Sequence, residues 1–418
     1  MAKLQCVRGT YDLYGAAKRK TKQVVRTGEE VVEKYGFEEI ETPIFEFTEV
    51  FARNLGDTSD IVTKEMYCFE DRGGESLTLR PEGTAGVVRA FVSNGMQQNL
   101  PVKFYYHGQM FRYERPQKGR QRQFTQFGVE LLGADTPQAD IEVIAMAYEF
   151  LEKLGLSGQV TVEVNSLGDA ESRNAYREKL VAYLKEHFDE LSADSKNRLE
   201  RNPLRVLDSK EECDKAVVEK APLYADSLNE KSKAFFAKVL DGLDRLGIKY
   251  RVNNRLVRGL DYYSHTVFEL VTDKLGAQGT VLAGGRYDGL VEQMGGGAVA
   301  GIGWACGVER LAMLLDEEPA PLIKISEMYY IMAEYYLSQS NEDKALEIAH
   351  RLRLAGLKTE QGYSGNLKKR MIRADKANAR KAVIIGSEEL ARNEVTVKDL
   401  DSGEQKNVAL DQLIEEVK

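Results

Sequence analysis

A short stretch of the chain, residues 111–130, concentrates positive charge on an otherwise acidic protein. The 418-residue chain carries a formal net charge of −8. Five basic side chains nevertheless fall within this stretch: Arg112, Arg115, Lys118, Arg120 and Arg122. Guanidinium groups bind phosphate oxygens through paired hydrogen bonds, and Glu114 would share one strand face with Arg112 as a hydrogen-bond acceptor. The pattern indicates a nucleotide site, although an isolated run of this kind is more often a solvated charged hairpin.

The returning half of this stretch, "QFTQFGVELLG", carries two polar side chains on an otherwise apolar run. Gln126 and Glu130 are separated by an even number of residues, so they would project from the same face of a strand. A carboxylate on a buried face requires a partner, which is either another side chain or a ligand. Glu130 is therefore a candidate ligand-binding residue.

Two later stretches also carry arginines in promising surroundings. In "LVRGLDYYSHTVFE", Arg258 and Tyr263 would lie in a loop entering a strand, where a surface turn is an equally good interpretation. In "AGGRYDGLVEQMGGG" and "GIGWACGVERL", glycine doublets permit close backbone approach to a ligand, and Arg310 would lie in the first turns of a helix. Neither a dinucleotide-binding fingerprint nor a P-loop motif is present, which counts against a Rossmann dehydrogenase and a P-loop ATPase.

These stretches require a sheet to position them. "VKFYYHGQMFRYE" and "QFTQFGVELLG" are β-rich runs, and the proline and glycine of "RPQKGRQR" between them predict a long hairpin. Many strands precede any regular strand–helix alternation, which predicts an α+β domain with an antiparallel sheet over residues 1–320. Residues 171–245 are charged and helical in pattern, which indicates a helical insertion. After a proline-containing linker, residues 326–418 alternate strands and helices and predict a small, mostly parallel α/β domain.

Composition excludes several other classes. The N-terminus lacks an apolar core, and the longest apolar stretch is interrupted by Glu309 and Arg310, so we expect neither a signal peptide nor a membrane span. The four cysteines are scattered without a C-x-x-C pair, which argues against a disulfide framework and a Cys/His zinc site. We therefore expect a cytoplasmic protein with no membrane partner and no protein-held metal centre. The acidic net charge disfavours nonspecific coating of nucleic acid but leaves local basic clusters, at 111–130 and 366–381, as anionic contacts.

Several motifs in sequence order resemble a known family. "FRYERPQKGRQRQF" resembles motif 2 of class II aminoacyl-tRNA synthetases, "GIGWACGVERL" resembles motif 3, and the helix and strand ending in "ETPIFE" resemble motif 1 with its proline at Pro43. "TLRPEGTA", "LVRGLDYYSHTVFE" and "AGGRYDGL" are similar to the histidyl-tRNA synthetase family in particular. The resemblance runs from about residue 7 to the C-terminus. At "RGTYDLYG" this chain has Gly15 where the family usually has a proline, so we expect altered local geometry there without lost chemistry.

The resemblance implies an architecture and a reaction. The architecture is a catalytic core with a six-stranded antiparallel sheet and flanking helices, a helical insertion and a C-terminal α/β anticodon-binding domain, in a homodimer. The reaction joins histidine to ATP, with Mg²⁺, as histidyl-adenylate and pyrophosphate, and then transfers histidine to the 3′ end of histidine tRNA. A histidine tRNA would be the macromolecular partner.

By the same resemblance, individual residues take roles. Arg112 would contact the α-phosphate of ATP, Glu114 would contact the adenine, and Arg310 would contact the γ-phosphate. Arg120 would be a second contact to the triphosphate. The resemblance does not decide whether Arg122 also contacts ATP. Arg258 would approach the reacting carboxylate and the α-phosphate as the main catalytic group. The histidine-binding residues would be Glu82, Thr84 and Gln126 at the amino end, and Glu130, Tyr263 and Tyr287 around the imidazole. Arg115, Gln117 and Lys118 would reach the tRNA acceptor end, and the basic helix carrying Lys368, Lys369, Arg370 and Arg373 would meet the anticodon region.

Two other functions compete with the synthetase. A noncatalytic relative, such as the regulatory subunit of ATP phosphoribosyltransferase, shares the core but typically lacks the anticodon domain and loses catalytic arginines, whereas this chain keeps Arg112, Arg258 and Arg310. A histidine-sensing or tRNA-sensing module fused to other domains is the binding-protein alternative, and the chain shows no additional domain to support it.

Overall fold

The computed structural model describes residues 3–55, 61–209, 211–258, 262–275, 279–315, 328–333, 339–362, 366–377 and 379–417. The chain divides into two compact units, Met1–Glu318 and Pro319–Lys418.

The first unit contains eleven strands and ten α-helices in its described residues. In chain order the strands are β1 (Glu38–Glu39), β2 (Phe45–Phe47), β3 (Tyr67–Glu70), β4 (Ser76–Leu79), β5 (Val102–Phe111), β6 (Gln123–Leu132), β7 (Thr161–Ser166), β8 (Tyr250–Val252), β9 (Ser264–Val271), β10 (Thr280–Arg286) and β11 (Gly301–Gly307). The helices are α1 (Gly15–Val32), α2 (Thr48–Leu55), α3 (Thr84–Ser93), α4 (Pro137–Lys153), α5 (Ala170–Glu186), α6 (Ala193–Arg201), α7 (Glu212–Val218), α8 (Glu230–Arg245), α9 (Leu290–Gln293) and α10 (Val308–Ala312).

The main sheet corrects the expected six-stranded antiparallel arrangement. It has eight strands in the order β1-β5-β6-β11-β10-β9-β7-β8, and a separate three-stranded sheet has the order β2-β4-β3. The six strands from β5 to β7 are antiparallel to their neighbours, whereas β1 pairs parallel with β5 and β8 pairs parallel with β7. Parallel neighbours need a long crossover, and helices α5–α8 occupy the crossover from β7 to β8. The two edge strands are too short to show a periodicity in the sequence.

The predicted hairpin is confirmed. Strands β5 and β6 pair antiparallel along their whole length, from Val102 opposite Leu132 to Phe111 opposite Gln123. The connection closes on a tight turn in which the backbones of Gln117 and Arg120 exchange hydrogen bonds of 3.1 and 2.9 Å. Gly119 in this turn has φ 75°, a left-handed conformation that glycine adopts without strain.

An aromatic layer packs against one face of the sheet. The rings of Phe127, Phe150 and Trp304 lie with centroids 5.8–6.0 Å apart, and helix α4 contributes Phe150 to this layer. Helix α1 approaches closely because Gly28 carries no side chain: a Cβ atom there would lie 2.8 Å from the Phe127 ring. This packing covers one face of strands β6 and β11. Other residues of these two strands line the site described below.

The departure at Gly15 has a structural counterpart. Helix α1 begins at Gly15, whose φ is 60°. Proline is restricted to φ near −65° and could not adopt this conformation. Gly15 therefore has a backbone conformation that a proline at this position could not adopt, and Tyr11 of the same segment lines the candidate site.

The second unit is built on a five-stranded sheet. Its strands are β12 (Met328–Ala333), β13 (Lys358–Gln361), β14 (Lys381–Ile385), β15 (Glu394–Asp399) and β16 (Gln405–Ala409), and its helices are α11 (Gln339–Leu354), α12 (Leu367–Lys376), α13 (Ser387–Ala391) and α14 (Leu413–Val417). In the order β13-β12-β14-β15-β16, the first two pairings are parallel and the last two antiparallel. The expectation of a mostly parallel sheet is corrected to a mixed one, because the short connection between β15 and β16 permits only an antiparallel hairpin.

The basic helix α12 does not expose all of its positive charge. Lys368, Lys369 and Arg373 are exposed, but Arg370 is only 1% exposed. Three of the four side chains expected to meet nucleic acid are therefore at the surface, and the fourth points into the unit.

Candidate active site

One cavity of about 310 Å³ in the first unit brings together most of the predicted site residues. It is lined by eleven of them: Glu82, Thr84, Arg112, Glu114, Arg120, Gln126, Glu130, Arg258, Tyr263, Tyr287 and Arg310. Arg115, Gln117 and Lys118 do not line it and are exposed on the connection between β5 and β6. Buried carboxylates and tyrosines form one part of the lining, called the enclosed end below, and partly exposed arginines form another, called the arginine-rich end.

Glu130 is at the centre of the enclosed end. Its side chain projects from β6 and is 1% exposed. Thr84 Oγ1 donates a hydrogen bond of 2.7 Å to Glu130 Oε1, and the Tyr287 hydroxyl donates to Glu130 Oε2. Burial raises the pKa of Glu130 to about 8, because desolvation disfavours the carboxylate more than these donors favour it. Glu130 can therefore act as an acceptor or, when protonated, as a donor near neutral pH.

The space around Glu130 depends on a glycine in the neighbouring strand. Gly303 of β11 is paired with Glu130 of β6. A Cβ atom at position 303 would lie 2.1 Å from Glu130 Oε2 and 2.2 Å from the Val129 carbonyl oxygen. The doublet Gly284–Gly285 similarly allows close approach of adjacent strands. The glycines that the sequence associated with ligand approach thus accommodate contacts within the protein.

Glu82 and Gln126 are both engaged at the start of helix α3. Glu82 accepts hydrogen bonds from the backbone N–H groups of Thr84 at 2.7 Å and Ala85 at 2.8 Å. Burial raises the pKa of Glu82, and those two hydrogen bonds partly oppose the rise. Gln126 Oε1 accepts from the Gly83 N–H at 3.0 Å and from the Tyr106 hydroxyl at 3.3 Å. These contacts fix the positions of Glu82 and Gln126 relative to Glu130.

The arginine-rich end is assembled from the β5–β6 connection and helix α10. Arg112 Nε donates to the Pro81 carbonyl at 2.8 Å, and its guanidinium lies 5.4 Å from the centroid of the Phe124 ring. Arg120 forms an ion pair with Glu114 at 3.0 Å, so these two predicted ATP contacts also contact each other. Burial lowers the pKa of Arg310, and the charge of Arg120 lowers it further. Such mutual repulsion favours binding of a polyanion at this end.

Arg258 lines the cavity and is held by a carboxylate. It forms an ion pair with Glu269 of β9, and Thr280 of β10 donates to the other oxygen of that carboxylate at 2.8 Å. The Arg258 guanidinium lies 5.7 Å from the centroid of the Tyr263 ring. Burial acts to lower the pKa of Arg258, but Glu269 and the neighbouring tyrosines raise it. Its Nε atom is buried without a hydrogen-bond partner among the described residues.

Sequence reasoning missed several residues that shape this site. Glu269 lies on a mostly buried strand, and a carboxylate in such a strand indicates that a charged or hydrogen-bonding partner is nearby. Glu309 accepts hydrogen bonds from the N–H and hydroxyl groups of Thr125, between 2.8 and 3.0 Å, and so joins α10 to β6. Tyr262 packs against Tyr263 and Tyr287, with ring centroids 4.7 and 5.8 Å away. Arg122, which the sequence left open, contacts the Tyr113 ring at 3.8 Å and donates to the Glu114 carbonyl at 3.3 Å, so it stabilises the connection.

The described residues contain no group of three or more His, Cys, Asp or Glu side chains that could hold a metal ion. No helix within the described ranges is long and apolar enough to cross a membrane.

Comparisons with known proteins agree along the whole chain. A family described as Histidyl-tRNA synthetase matches residues 9–311, and one described as Anticodon binding domain matches residues 332–418. The histidine–tRNA ligases of Rhodospirillum rubrum and Gluconobacter oxydans are 58% and 56% identical, each over 98% of this chain and 97% of the relative. The crystal structure of apo S. aureus histidyl-tRNA synthetase has a TM-score of 0.82 at 36% identity, covering 99% of this chain and 100% of that one. The chain belongs to the histidyl-tRNA synthetase family.

Proposed function

We propose that this chain is a histidine–tRNA ligase, which activates histidine with ATP and transfers it to the 3′ end of histidine tRNA. The observation that carries the proposal is a single cavity with an arginine-rich end and an enclosed end centred on Glu130. Family membership over nearly the full chain supports the same reaction. Residues 1–320 would form the catalytic domain, with the insertion at 171–245, and residues 326–418 the anticodon-binding domain.

The arginines would serve the activation step. The histidine carboxylate attacks the α-phosphorus of ATP, a bond to the bridging oxygen breaks, and pyrophosphate leaves. Negative charge grows on the phosphorus oxygens during this displacement, and guanidinium groups already held in place stabilise it without reorganising. Arg112 and Arg258 would act at the α-phosphate, and Arg310 at the γ-phosphate. Arg112 is held by the Pro81 carbonyl and Arg258 by Glu269, which supports this preorganised role.

ATP binding would rearrange the pair formed by Glu114 and Arg120. Glu114 is assigned to the adenine amino group and Arg120 to the triphosphate. The pair is partly exposed, so exchanging it for ligand contacts has a small cost.

The enclosed end would select histidine. Glu82, Thr84 and Gln126 are assigned to the α-amino end, and Glu130, Tyr263 and Tyr287 to the imidazole. A carboxylate that accepts a ring N–H fixes the imidazole tautomer, and a phenol can complement the other ring nitrogen. Tyr287 already donates to Glu130, which orients that carboxyl group. A site that hydrogen-bonds both nitrogens rejects apolar amino acids by roughly 10⁴-fold, so a separate editing step is unnecessary.

Mg²⁺ would enter with ATP. Magnesium in such sites is bound mainly by phosphate oxygens and water, with one or two carboxylates. Glu114 is assigned to the adenine, so Glu309 is the carboxylate at the arginine-rich end that would hold the ion, and it already accepts hydrogen bonds from Thr125. The ion would neutralise phosphate charge when bound.

The tRNA would contact both units. Arg115, Gln117 and Lys118 are exposed on the connection next to the cavity and are assigned to the acceptor end. Lys368, Lys369 and Arg373, exposed on α12, are assigned to the anticodon region.

A cytoplasmic homodimer is the proposed form. Exposed aromatic side chains on the small β2-β4-β3 sheet, Phe45, Phe47 and Phe69, support a second copy packing near the motif 1 segment. Sedimentation equilibrium would distinguish the dimer from a monomer.

The test of the function is histidine-dependent exchange of pyrophosphate into ATP, followed by histidylation of a histidine tRNA transcript. We expect both activities. Folded protein without the exchange would instead support the noncatalytic regulatory-subunit alternative, and exchange without transfer would contradict the ligase assignment.

A further inference from the structure

A second cavity adjoins the candidate active site on the side of the helical insertion. It measures about 320 Å³, similar to the first, and shares Arg258 and Tyr263 with it. Its remaining wall comes largely from α5, the end of α6 and the residues that follow α6. Its volume falls in the range of about 300–1,000 Å³ that is usual for ligand sites.

The lining of this second cavity is strongly basic. Arg173 and Arg177 come from α5, Arg201 from the last position of α6, and Arg205 from the segment beyond it. Among the lining residues that the structure describes, none is acidic. An arginine-lined cavity is unexpected on a chain whose net charge is −8. The field inside it favours an anionic ligand.

Arg177 and Arg201 are the two arginines of this cavity whose guanidinium groups can bind a ligand. Both are exposed, and within the described residues neither side chain makes a hydrogen bond or an ion pair. Asn174 and Asn202 add amide groups to the same wall. Guanidinium forks accompanied by amides suit phosphate oxygens, which accept several hydrogen bonds at once.

We propose that this cavity is a phosphate-binding subsite, in which Arg177 and Arg201 bind the phosphate groups of a second anion next to Arg258. The identity of that anion rests on the proposed function, whereas phosphate binding itself does not. Besides ATP, the adenylate and the AMP released on transfer, the reaction handles two phosphate-bearing molecules: the pyrophosphate product and the single-stranded 3′ end of the tRNA. Either could occupy a cavity that shares a wall with the reaction centre.

The test compares two charge-reversal variants of the full chain. Arg177→Glu/Arg201→Glu changes the cavity, and Lys185→Glu/Lys238→Glu makes the same change of net charge at exposed positions of α5 and α8 outside it. Binding is measured by calorimetric titration with three probes: inorganic pyrophosphate, a histidine tRNA transcript and the same transcript lacking its single-stranded 3′ end. Thermal unfolding verifies folding, and Arg177→Gln/Arg201→Gln replaces the reversal variant if that one does not fold.

We expect the cavity variant to bind at least one probe about tenfold more weakly than the control variant. Weaker binding of pyrophosphate identifies the product as the ligand. Weaker binding of the intact transcript, without weaker binding of the truncated one, identifies the tRNA 3′ end as the ligand. In that case two contacts to single-strand phosphates are lost, and the slope of the logarithm of the binding constant against the logarithm of the salt concentration should fall in magnitude by about 1.4.

Equal binding of every probe by the cavity and control variants would overturn the subsite. The exchange activity of the wild-type protein is measured on the same preparation. If the wild-type protein catalyses the exchange and the cavity variant binds every probe as the control does, the subsite alone is rejected. If the wild-type protein does not catalyse the exchange, the proposed function itself is contradicted.

Discussion

Arg258 and Glu269 form an ion pair at the wall of the cavity, and Thr280 donates a hydrogen bond of 2.8 Å to the same carboxylate. Glu269 lies on β9 and Thr280 on β10, so the acceptor is anchored across two neighbouring strands. The pair raises the pKa of Arg258 despite burial and restricts where its guanidinium can point. Glu269 is therefore a positioning residue for the arginine to which we assign the main catalytic role.

Glu269→Gln should slow histidine-dependent pyrophosphate exchange about tenfold, mostly in kcat. The amide keeps the shape of the side chain but loses its charge, and a hydrogen bond to a charged group contributes about 1.5–3 kcal/mol. Steady-state exchange kinetics would measure this decrease. Thr280→Val is the control, and it should lower kcat by a smaller factor. An unchanged kcat in Glu269→Gln would exclude the positioning role.

Arg258→Ala should slow adenylate formation by roughly 10²–10³-fold, or about 3–4 kcal/mol, because one preorganised charge at the transition state is lost. Histidine binding should weaken less. Single-turnover formation of the adenylate measures the step directly, and Arg245→Ala, at an exposed surface pair with Asp241, is the control. Near-normal adenylate formation would remove Arg258 from the mechanism.

Glu130→Gln should change how stability depends on pH. The folded protein raises the pKa of Glu130 from 4.5 to about 8, so between these values it binds more protons than the unfolded chain. The contribution of Glu130 to stability is then fully present below about pH 4.5 and is lost as pH rises through 8. Melting temperatures of variant and wild type, compared from pH 5 to pH 9, should shift progressively in favour of the variant up to about pH 8. Parallel curves would show that Glu130 has an ordinary pKa.

Gly303→Ala should destabilise the first unit by about 1–3 kcal/mol and reduce exchange activity. The added Cβ would meet both Glu130 and the Val129 carbonyl oxygen, and a backbone atom cannot rotate away. Denaturant unfolding measures the effect. Gly158→Ala is the matched control because no atom lies within 4 Å of its added Cβ. Similar midpoints for the two variants would indicate that the β6–β11 pairing relaxes easily.

Patterns within the sequence were sufficient for some of this architecture. The β-rich runs on either side of "RPQKGRQR" predict the β5–β6 hairpin, and alternate spacing predicts that Gln126 and Glu130 share a face; both line the cavity. The edge strands β1 and β8 were not predictable in this way. Strands of two or three residues have no measurable period, and their pairing depends on crossovers that long helices provide.

The sequence by itself determined the local elements, the order of the motifs and the family resemblance, because these depend on residues close together in the chain. Only the tertiary structure decided which groups meet. Glu130 faces Gly303 through the register of β6 and β11, Arg258 meets Glu269 of the interior strand β9, and Arg370 is buried rather than exposed. Such contacts arise from strand register and packing between distant segments, and the spacing of residues within one segment carries no information about them.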